Sequence, residues 1–475
     1  MFSLKLPVNL LALALLLGSS GCAQATDTSQ TKIPIAEIKT FSQVFALIKS
    51  DYVDPSSDKK LMDGAIAGMV SSLDPHSTYL SPKEWKEMQV FTNGKFGGLG
   101  IEVTPDHGLL RVVAPIDGTP AAKAGIKAGD LIIKINDKSV QGMGLQTAID
   151  EMRGKPGSQV RLTLIRAHSA TPLDLTLTRA IIKVQSVREQ LLTPGIGYLR
   201  ISQFQDNTGN AVRQALAQLR QENHGPLRGL ILDLRNNPGG VLQAGVETAD
   251  AFLDHGLIVY TKGRTSNSNM RFRAHGPDLI AGTPMVVLIN GGTASAAEIV
   301  TGALKDDGRA LILGSRSFGK GSVQSVIPLD NGGAVTLTTA LYYTPAGCSI
   351  QGQGIVPNVA ITPSNSEEKN IAAALLKESE LPGALQAPDP CRKARPQYQI
   401  PEPPTPVAKP ANPGAVKKSN DNIDPDHDFS LRMALDILQG KPVPVEEQGH
   451  VHDIVIPIPT DPAMDKTASR TVKAA

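Results

Sequence analysis

The chain has 475 residues, 41% of them hydrophobic, and a formal net charge of +2, so it is long enough for several folded domains. The balanced charge, with no dense Lys/Arg stripe among aromatic residues, argues against a nucleic-acid-binding protein. The cysteines Cys22, Cys348 and Cys391 are too few for a disulfide scaffold. If Cys22 is modified, Cys348 and Cys391 either pair in an oxidising compartment or remain free thiols.

Residues 1–25 have the pattern of a secretion signal. A short apolar stretch follows Lys5, and small residues follow the apolar stretch. The stretch is too short to cross a bilayer as a permanent helix. The junction at Cys22 resembles a bacterial lipoprotein cleavage site, with Ser19 where a Leu is usual, and residues 23–25 offer an ordinary signal-peptidase site. The sequence therefore leaves open a lipid anchor on Cys22 or a free secreted form.

Residues 35–92 have helical spacing and are predicted to form a small helical N-terminal domain. Ser81 to Glu84 is a capping-box start for the last of its helices. His76 lies beside a proline turn, and we interpret it as structural. The apolar residues that share a helical face, and that we expect to pack into a core, are Phe41, Val44, Phe45, Ile48 and Tyr52, and then Leu61, Ala65, Met69 and Leu73.

Residues 93–180 change to a pattern of short strands. Phe96–Val103 reads as a glycine-rich loop that leads into a strand, and Ala124–Asn136 as a turn followed by a strand. Leu145 and Ile149 fall on one face of a predicted helix. These two residues either line a groove or belong to the core of this domain.

Residues 181–365 alternate between strands and helices, which predicts a sheet covered by helices. Within this region the apolar run 285–289 predicts a buried strand, and Ser295 opens a segment with helical spacing. A hydroxyl at such a turn faces the amide end of the helix, and the Ala296 amide is placed to donate to a developing oxyanion. Ser295 is therefore the candidate nucleophile.

Lys320 is the candidate base, because the only histidine between residues 256 and 318 is His275, in a polar loop. A lysine has a pKa of about 10.4, so a base active near pH 7 needs a depression of roughly 3.4 units, or about 4.6 kcal/mol. Burial can supply that depression. Gly319 and Gly321 let backbone pack closely around the amine, and Gln324 can orient it without adding negative charge.

The remaining residues, 366–475, begin with a proline-dense stretch over residues 381–416 that predicts a linker or a chain wrapped over a surface. Residues 428–440 predict one more helix, with an apolar stripe of Leu431, Leu435 and Leu438. This stripe needs a partner surface, either on the body of the same chain or on another subunit.

Several motifs in this order resemble the carboxyl-terminal processing (tail-specific) protease family. They are D-L-R-N-N-P-G-G at Asp233–Gly240, the Ser295 segment, F-G-K-G-S-V-Q at Phe318–Gln324 and T-T-A-L-Y-Y-T-P-A-G at Thr338–Gly347. The resemblance extends over about residues 41–363. It implies an α/β (α+β) multidomain fold, with a crotonase-like protease core at 181–365, an inserted PDZ domain at 93–180 and the helical N-terminal region.

The resemblance also implies roles for individual residues. Ser295 is the expected nucleophile, Lys320 the general base and Gln324 the residue that orients Lys320. The expected oxyanion donors are the amides of Ala296 and of Gly239 or Gly240. Arg153 is either a solvated turn residue or, as in some members of the family, a residue that couples the PDZ domain to the active site. The PDZ residues expected to bind a peptide carboxylate and its side chains are Gly98, Leu99, Gly100, Ile101, Leu145 and Ile149.

These expectations define a secreted, periplasmic bacterial endopeptidase that binds apolar C-terminal tails of envelope proteins and cleaves them. The resemblance makes a homo-oligomer and an adaptor lipoprotein candidate partners, and no metal or nucleotide cofactor is implied. Membrane attachment would occur only through a lipid on Cys22. One alternative is a catalytically silent PDZ binding module or chaperone, which retention of Ser295, Lys320 and Gln324 disfavours. Another is an acyl-thioester enzyme, which the secretion signal disfavours.

Overall fold

The computed structural model describes residues 34–116, 118–166, 171–362, 377–387, 395–402, 423–447 and 450–459. The predicted secretion signal, Cys22 and Cys391 lie outside these residues. Cys348 is disulfide-bonded, which excludes the free-thiol alternative for this residue. Among the described residues no helix is both long enough and apolar enough to cross a membrane.

The chain divides into two units, residues 1–64 and 65–475. In the first unit, helix α1 (Ile35–Asp51) forms as predicted but buries none of its residues. Phe41 and Val44 are exposed and Phe45 and Ile48 only half-buried, so the core packing predicted for this face is wrong. The described part of this unit is too short to supply an opposing apolar surface. Helix α2 (Asp58–Ser71) begins here and continues into the second unit.

The second unit continues with β1 (Thr78–Leu80) and α3 (Pro82–Asn93). The predicted capping box at the start of α3 is confirmed, because the Glu84 amide donates to Ser81 Oγ at 3.4 Å and the Ser81 amide donates to Glu84 at 2.8 Å. Gly94, with φ of 63°, ends the helix in a left-handed conformation that glycine adopts at little cost.

The next part of the chain is a small antiparallel domain. Its sheet has the order β3-β4-β5-β7-β8, with β6 paired to β5, and β2 and β9 form a separate two-stranded ribbon. Its core contains Ile132, Ile135, Leu162 and Leu164. The elements are β2 (Lys95–Gly98), β3 (Ile101–Asp106), β4 (Leu109–Pro115), α4 (Pro120–Lys123), β5 (Leu131–Ile135), β6 (Lys138–Ser139), α5 (Leu145–Met152), β7 (Gln159–Ile165), β8 (Leu173–Thr178) and β9 (Ala180–Lys183).

The main core contains a sheet of seven strands and an antiparallel sheet of five. The elements are β10 (Val187–Thr193), β11 (Ile196–Ile201), α6 (Thr208–Glu222), β12 (Gly229–Asp233), α7 (Leu242–Asp250), β13 (Leu257–Gly263), β14 (Arg271–Arg273), β15 (Met285–Ile289), α8 (Ala296–Asp306), β16 (Leu311–Gly314), β17 (Ser322–Pro328), β18 (Ala334–Tyr343), β19 (Val359–Thr362), β20 (Tyr398–Pro401), α9 (Phe429–Leu438), β21 (Val443–Glu447) and β22 (His450–Ile454).

The seven-stranded sheet has the order β10-β11-β12-β15-β16-β19-β20 and is parallel from β11 onward. Alternate residues of β12 enter two cores: Leu230 and Leu232 pack with α6, α7 and α8, whereas Ile231 packs with α9. Because both faces are covered, the central strands β12, β15 and β16 are nearly continuous apolar runs, as buried parallel strands usually are. The mixed α/β architecture predicted from the sequence is confirmed.

The C-terminal part of the chain packs on this sheet. Strand β20 pairs with β19 in the sheet, and helix α9 buries Leu431, Ala434 and Ile437 against it. The apolar stripe of α9 therefore finds its partner surface on the body of its own chain. Of the two alternatives for this helix, the structure gives intramolecular docking.

A buried charge network fixes α9 to the end of β12. Asp233 is fully buried and accepts hydrogen bonds from Tyr198 at 2.8 Å and Arg235 Nη2 at 2.6 Å. Arg235 also donates to Asp428 at 2.7 Å, and Asp428 caps α9 by accepting from the Leu431 amide at 3.0 Å. Burial by itself would raise the pKa of Asp233, but hydrogen bonds and charge from Arg235 outweigh it and lower that pKa.

Replacing Asp233 with Asn should lower the free energy of unfolding by about 3–5 kcal/mol, because Arg235 and Arg200 would lose the one fully buried charge that they share. Urea denaturation measures this change. The control is Asp436→Asn, which removes the partly exposed ion pair with Lys441 and should cost no more than about 1 kcal/mol. Equal losses for the two variants would contradict the assigned role of the network.

Candidate active site

Ser295 lies in the turn between β15 and α8, directly before the first residue of the helix. It is half-buried, and its φ of 54° lies in the left-handed region, which is unfavourable for any residue with a side chain. Such a conformation costs on the order of 1–3 kcal/mol and persists only where the surroundings enforce it. The predicted strand, turn and helix are therefore present, with strain stored at the candidate nucleophile.

Neighbouring backbone holds this turn in place. The Ser295 amide donates to Glu298 at 2.9 Å, and the Ala294 amide donates to the Asn237 carbonyl at 2.9 Å. The hydroxyl of Thr293 donates to the Leu234 carbonyl at 2.8 Å. The acceptors of the second and third hydrogen bonds belong to the D-L-R-N-N-P-G-G turn, so this motif stabilises the turn that carries Ser295.

Gly239 approaches Ser295 more closely than any other residue type could. A Cβ atom on Gly239 would lie 2.6 Å from Ser295 Cβ and 2.8 Å from the Ala294 carbonyl oxygen. Its amide donates to Asn237 Oδ1 at 2.9 Å. By contrast, the amides of Gly240 and Ala296 have no acceptor within the described part of the chain. Of the three expected oxyanion donors, these two are unpaired.

Lys320 lies in a loop whose flanking glycines also permit close backbone contact. A Cβ on Gly321 would lie 2.5 Å from the Gln351 amide nitrogen, and Gly319 has φ of 102° with the Gly354 amide 3.0 Å from a Cβ position. Burial lowers the pKa of Lys320, and the charges of Glu378, Glu298 and Asp74 oppose this effect. The direction of the shift is the one that a lysine base requires.

One cavity of about 450 Å³ brings the predicted residues together. Its size is typical of ligand sites, which range over about 300–1,000 Å³. Its lining includes apolar side chains of α3 and α8, and the predicted site residues that line it are Gly239, Gly240, Ser295, Ala296, Lys320 and Gln324.

Two contacts expected of the site are not formed in this structure. Ser295 Oγ and Lys320 Nζ, both described, are not hydrogen-bonded to one another. The Gln324 amide nitrogen donates to Ser322 Oγ at 3.0 Å and to Thr338 Oγ1 at 3.1 Å rather than contacting Lys320. Catalytic hydrogen bonds are often long without substrate, so this geometry does not remove either residue as a candidate.

Glu298 is a site residue that the sequence did not identify. Its fully buried carboxylate accepts four hydrogen bonds, from Ser317 Oγ at 2.6 Å and from the amides of Gly319, Lys320 and Ser295 at 2.7, 2.9 and 2.9 Å. Burial raises the pKa of Glu298 to about 7, although these hydrogen bonds oppose the rise. In the sequence, Glu298 shows only helical spacing, and a capping position three residues after Ser295 was the one available signal.

Tyr342 is a second site residue that the sequence did not identify. Its side chain lines the cavity, and its buried hydroxyl has no hydrogen-bond partner in the described residues. Burial and then the charge of Glu298 raise the pKa of Tyr342 well above its ordinary value, while Ser295 acts in the opposite direction. The phenol therefore stays protonated and can donate to a ligand. A tyrosine in an apolar strand gives no sequence signal for this.

The residues predicted to bind a peptide belong to two parts of the small antiparallel domain, the loop and strand start at residues 98–101 and helix α5. Strand β3 is an edge strand that pairs only with β4 in its sheet, and residues 98–100 lead directly into it. On α5, Ala148 and Met152 are buried in the core, whereas Leu145 is exposed and Ile149 is half-buried. Neither Leu145 nor Ile149 therefore belongs to the buried core of this domain, and their role in a peptide groove stays a prediction.

Arg153 is not a solvated turn residue. Its guanidinium lies 4.8 Å from the centroid of the Phe96 ring, and its buried Nε has no hydrogen-bond partner among the described residues. Arg153 shares a cavity of about 280 Å³ with residues of α3, including Lys83 and Glu87. Helix α3 also lines the cavity of Ser295 through Met88. The same helix therefore borders both cavities.

Replacing Glu298 with Gln should disturb both loops that Glu298 joins. The side-chain NH2 group of the new glutamine would face backbone N–H groups that now donate to the carboxylate, and two donors cannot hydrogen-bond to each other. We expect the free energy of unfolding to fall by about 3 kcal/mol. A fluorophosphonate probe should label Ser295 roughly a hundredfold more slowly, as measured by intact mass.

The matched control is Asp306→Asn, which changes an exposed carboxylate on the same helix. This variant should keep both the stability and the labelling rate. Normal labelling of Ser295 in Glu298→Gln would contradict the positioning role of Glu298.

Comparison with known proteins identifies the family of this chain. Models of three families match: "Peptidase family S41" at residues 195–361, "PDZ domain" at 111–166 and "Activating protease CtpB N-terminal domain" at 17–84. The solved structure of a photosystem II D1 C-terminal processing protease is 33% identical, with a TM-score of 0.40, and the match covers 73% of this chain and 92% of that one.

Two curated relatives match most of the chain. The carboxy-terminal-processing protease of Bartonella bacilliformis is 46% identical over 365 residues, which cover 77% of this chain and 84% of the relative. The carboxy-terminal processing protease CtpA of Bacillus subtilis is 36% identical over 360 residues, covering 76% of each chain. The chain therefore belongs to the carboxy-terminal-processing proteases of peptidase family S41, and it is a peptidase with a PDZ domain.

Proposed function

We propose that this peptidase is a serine endopeptidase that uses Ser295 as nucleophile and Lys320 as general base. The observation that carries the proposal is one cavity lined by a strained serine, a half-buried lysine with a lowered pKa and two unpaired amides. No histidine lines this cavity. The lysine is therefore the basic side chain available to the serine.

The proposed reaction proceeds through an acyl-enzyme. The neutral amine of Lys320 accepts the Ser295 hydroxyl proton as Oγ attacks the substrate carbonyl. The amides of Gly240 and Ala296 donate to the resulting oxyanion. Lys320 then returns its proton to the leaving amine as the C–N bond breaks. A water molecule, deprotonated by Lys320, attacks the ester and releases the new carboxyl terminus and the free Ser295 hydroxyl.

We assign Gln324 to orientation of Lys320 in the substrate-bound enzyme. Its amide nitrogen now donates to Ser322 and Thr338, which leaves the carbonyl oxygen as an acceptor for the ammonium hydrogens of Lys320. The cavity lining that Gln324 and Lys320 share supports this role. A neutral amide at this position would not raise the pKa of Lys320 as a carboxylate would.

The substrates in this proposal are proteins with apolar C-terminal tails, bound as an added strand along β3. The open edge of β3, the left-handed Gly100 in the preceding loop and the exposed Leu145 support it. Loop amides at residues 98–101 would donate hydrogen bonds to the terminal carboxylate. Arg153 and α3 would then connect an occupied groove with the catalytic cavity.

The cellular setting is proposed from the sequence. The pattern of residues 1–25 supports export to the periplasm, with Cys22 as the site of a lipid anchor. Envelope proteins would then be the accessible substrates. The exposed apolar side chains of α1 support a homo-oligomer, and an adaptor lipoprotein remains a proposed partner without a residue assigned to it.

The dyad is tested with an unstructured protein that ends in small apolar residues, incubated with residues 26–475. Wild type should cleave it, whereas Ser295→Ala and Lys320→Ala should lose on the order of 10³-fold or more in kcat/KM. The wild-type rate should rise with pH through the lowered pKa of Lys320, below the ordinary lysine value. Undiminished cleavage by Ser295→Ala would contradict the proposal, and no cleavage by any form would favour the binding module.

Tail recognition is tested with two forms of one peptide, ending in a free carboxylate or an amide. Leu145→Asp should raise KM for the free-carboxylate peptide by about tenfold. The new carboxylate repels the terminal carboxylate of the peptide, and the apolar contact of the leucine side chain is lost. Gln146→Ala, an exposed neighbour on α5, should leave KM unchanged. Equal KM values for both peptides in the wild type would rule out carboxylate capture.

A further inference from the structure

The segment 377–387 lies against the loop that carries Lys320, although the two are far apart in sequence. The Glu378 amide donates to the Phe318 carbonyl at 3.3 Å, two residues before Lys320. Near the other end of the segment, the Leu385 carbonyl accepts a hydrogen bond from Gln351 Nε2 at 3.2 Å. This segment is therefore attached to the base loop and to the chain packed behind it.

The side chain of Glu378 points into this contact and is fully buried. Its carboxylate lies 2.8 and 3.0 Å from His76 Nε2 and accepts from Gln351 Nε2 at 2.7 Å. Gln351 in turn accepts from the Gly321 amide at 2.8 Å. One side chain thus joins Glu378 to the residue that follows Lys320.

The residues around His76 connect the same cluster to Gln324. Asp74 accepts from the His76 amide at 2.9 Å and from Thr338 Oγ1 at 3.0 Å. Thr338 Oγ1 accepts from Gln324 at 3.1 Å. The turn at residues 74–77, the segment 377–387 and the strand that carries Gln324 therefore meet around the catalytic lysine.

The charges that face Lys320 come from three elements. Glu298 belongs to α8, Asp74 to the turn before β1, and Glu378 to the segment 377–387, and each favours the protonated amine against the effect of burial. His76, beside Glu378, adds a positive charge only when its ring is protonated. A fully buried carboxylate is costly unless it is well paired, so its place beside a catalytic lysine calls for a function.

We propose that Glu378 is a positioning residue that, through its contacts with His76 and Gln351, holds the Lys320 loop and sets the pH at which Lys320 can accept a proton. The inference rests on the proposed role of Lys320 as general base. It makes the segment 377–387 part of the active site. Removing the carboxylate should allow Lys320 to lose its proton at a lower pH.

The experiment measures the protonation of Lys320 without any cleavage. Full-length Ser295→Ala protein is acetylated with trace acetic anhydride across a pH series, and mass spectrometry quantifies acetylation at Lys320. The added change Glu378→Gln should move the midpoint down by about one pH unit. Glu378→Asp should give an intermediate midpoint, because its shorter side chain keeps the charge farther from the amine. Glu380→Gln, an exposed neighbour, should leave the midpoint unchanged.

Thermal unfolding of each variant separates loss of charge from loss of fold. If Glu378→Gln does not fold, the proposal is tested with Glu378→Asp only. A Lys320 midpoint in Glu378→Asp equal to that of the Ser295→Ala protein then overturns the proposal. Unchanged or raised midpoints in folded Glu378 variants also overturn it. If the proposed dyad were wrong, Ser295→Ala would cleave substrate at the wild-type rate in the cleavage assay. The titration measures no cleavage, so the two proposals can fail independently.

Discussion

The active site depends on one buried carboxylate that joins two separate pieces of chain. Glu298 accepts from the Ser295 amide on one side and from Ser317, Gly319 and Lys320 on the other. A buried carboxylate is costly unless hydrogen-bond donors replace the water that it has lost, and here four donors converge on it. Their convergence fixes the left-handed turn at Ser295, the proposed nucleophile, and the loop of Lys320, the proposed base, in one arrangement.

Close backbone packing supplies the second constraint. Gly239, Gly319 and Gly321 each lie where a Cβ atom would meet backbone or side-chain atoms at 3.0 Å or less. This proximity places two unpaired amides in the cavity of Ser295 and packs backbone closely around the loop that carries Lys320. The lowered pKa of Lys320 is thus a consequence of packing, and the nearby carboxylates limit how far it falls.

The local structure around the candidate site could be predicted from the sequence, because it follows from short sequence patterns. The strand, turn and helix around Ser295, the glycines around Lys320 and the capping box at Ser81 are all local features. Glu378 and His76 could not be predicted, since they are 302 positions apart in the chain and meet only in the folded protein. Helix α1 was predicted correctly, but its apolar face gave a false expectation of burial, because helical spacing identifies a face and not its partner. The side-chain amide nitrogen of Gln324 donates to Ser322 and Thr338, and the spacing between Lys320 and Gln324 in the sequence could not indicate these partners.

The measurement that tests the central claim most directly is the trapping of a covalent intermediate. Wild-type enzyme is mixed with a peptide ester, quenched in acid within the first turnover and digested for mass spectrometry. The account predicts that the acyl group is found on the peptide that contains Ser295, through its hydroxyl. An acyl group on any other residue, or turnover of the ester without an acyl-enzyme, would contradict the assignment of Ser295 as nucleophile.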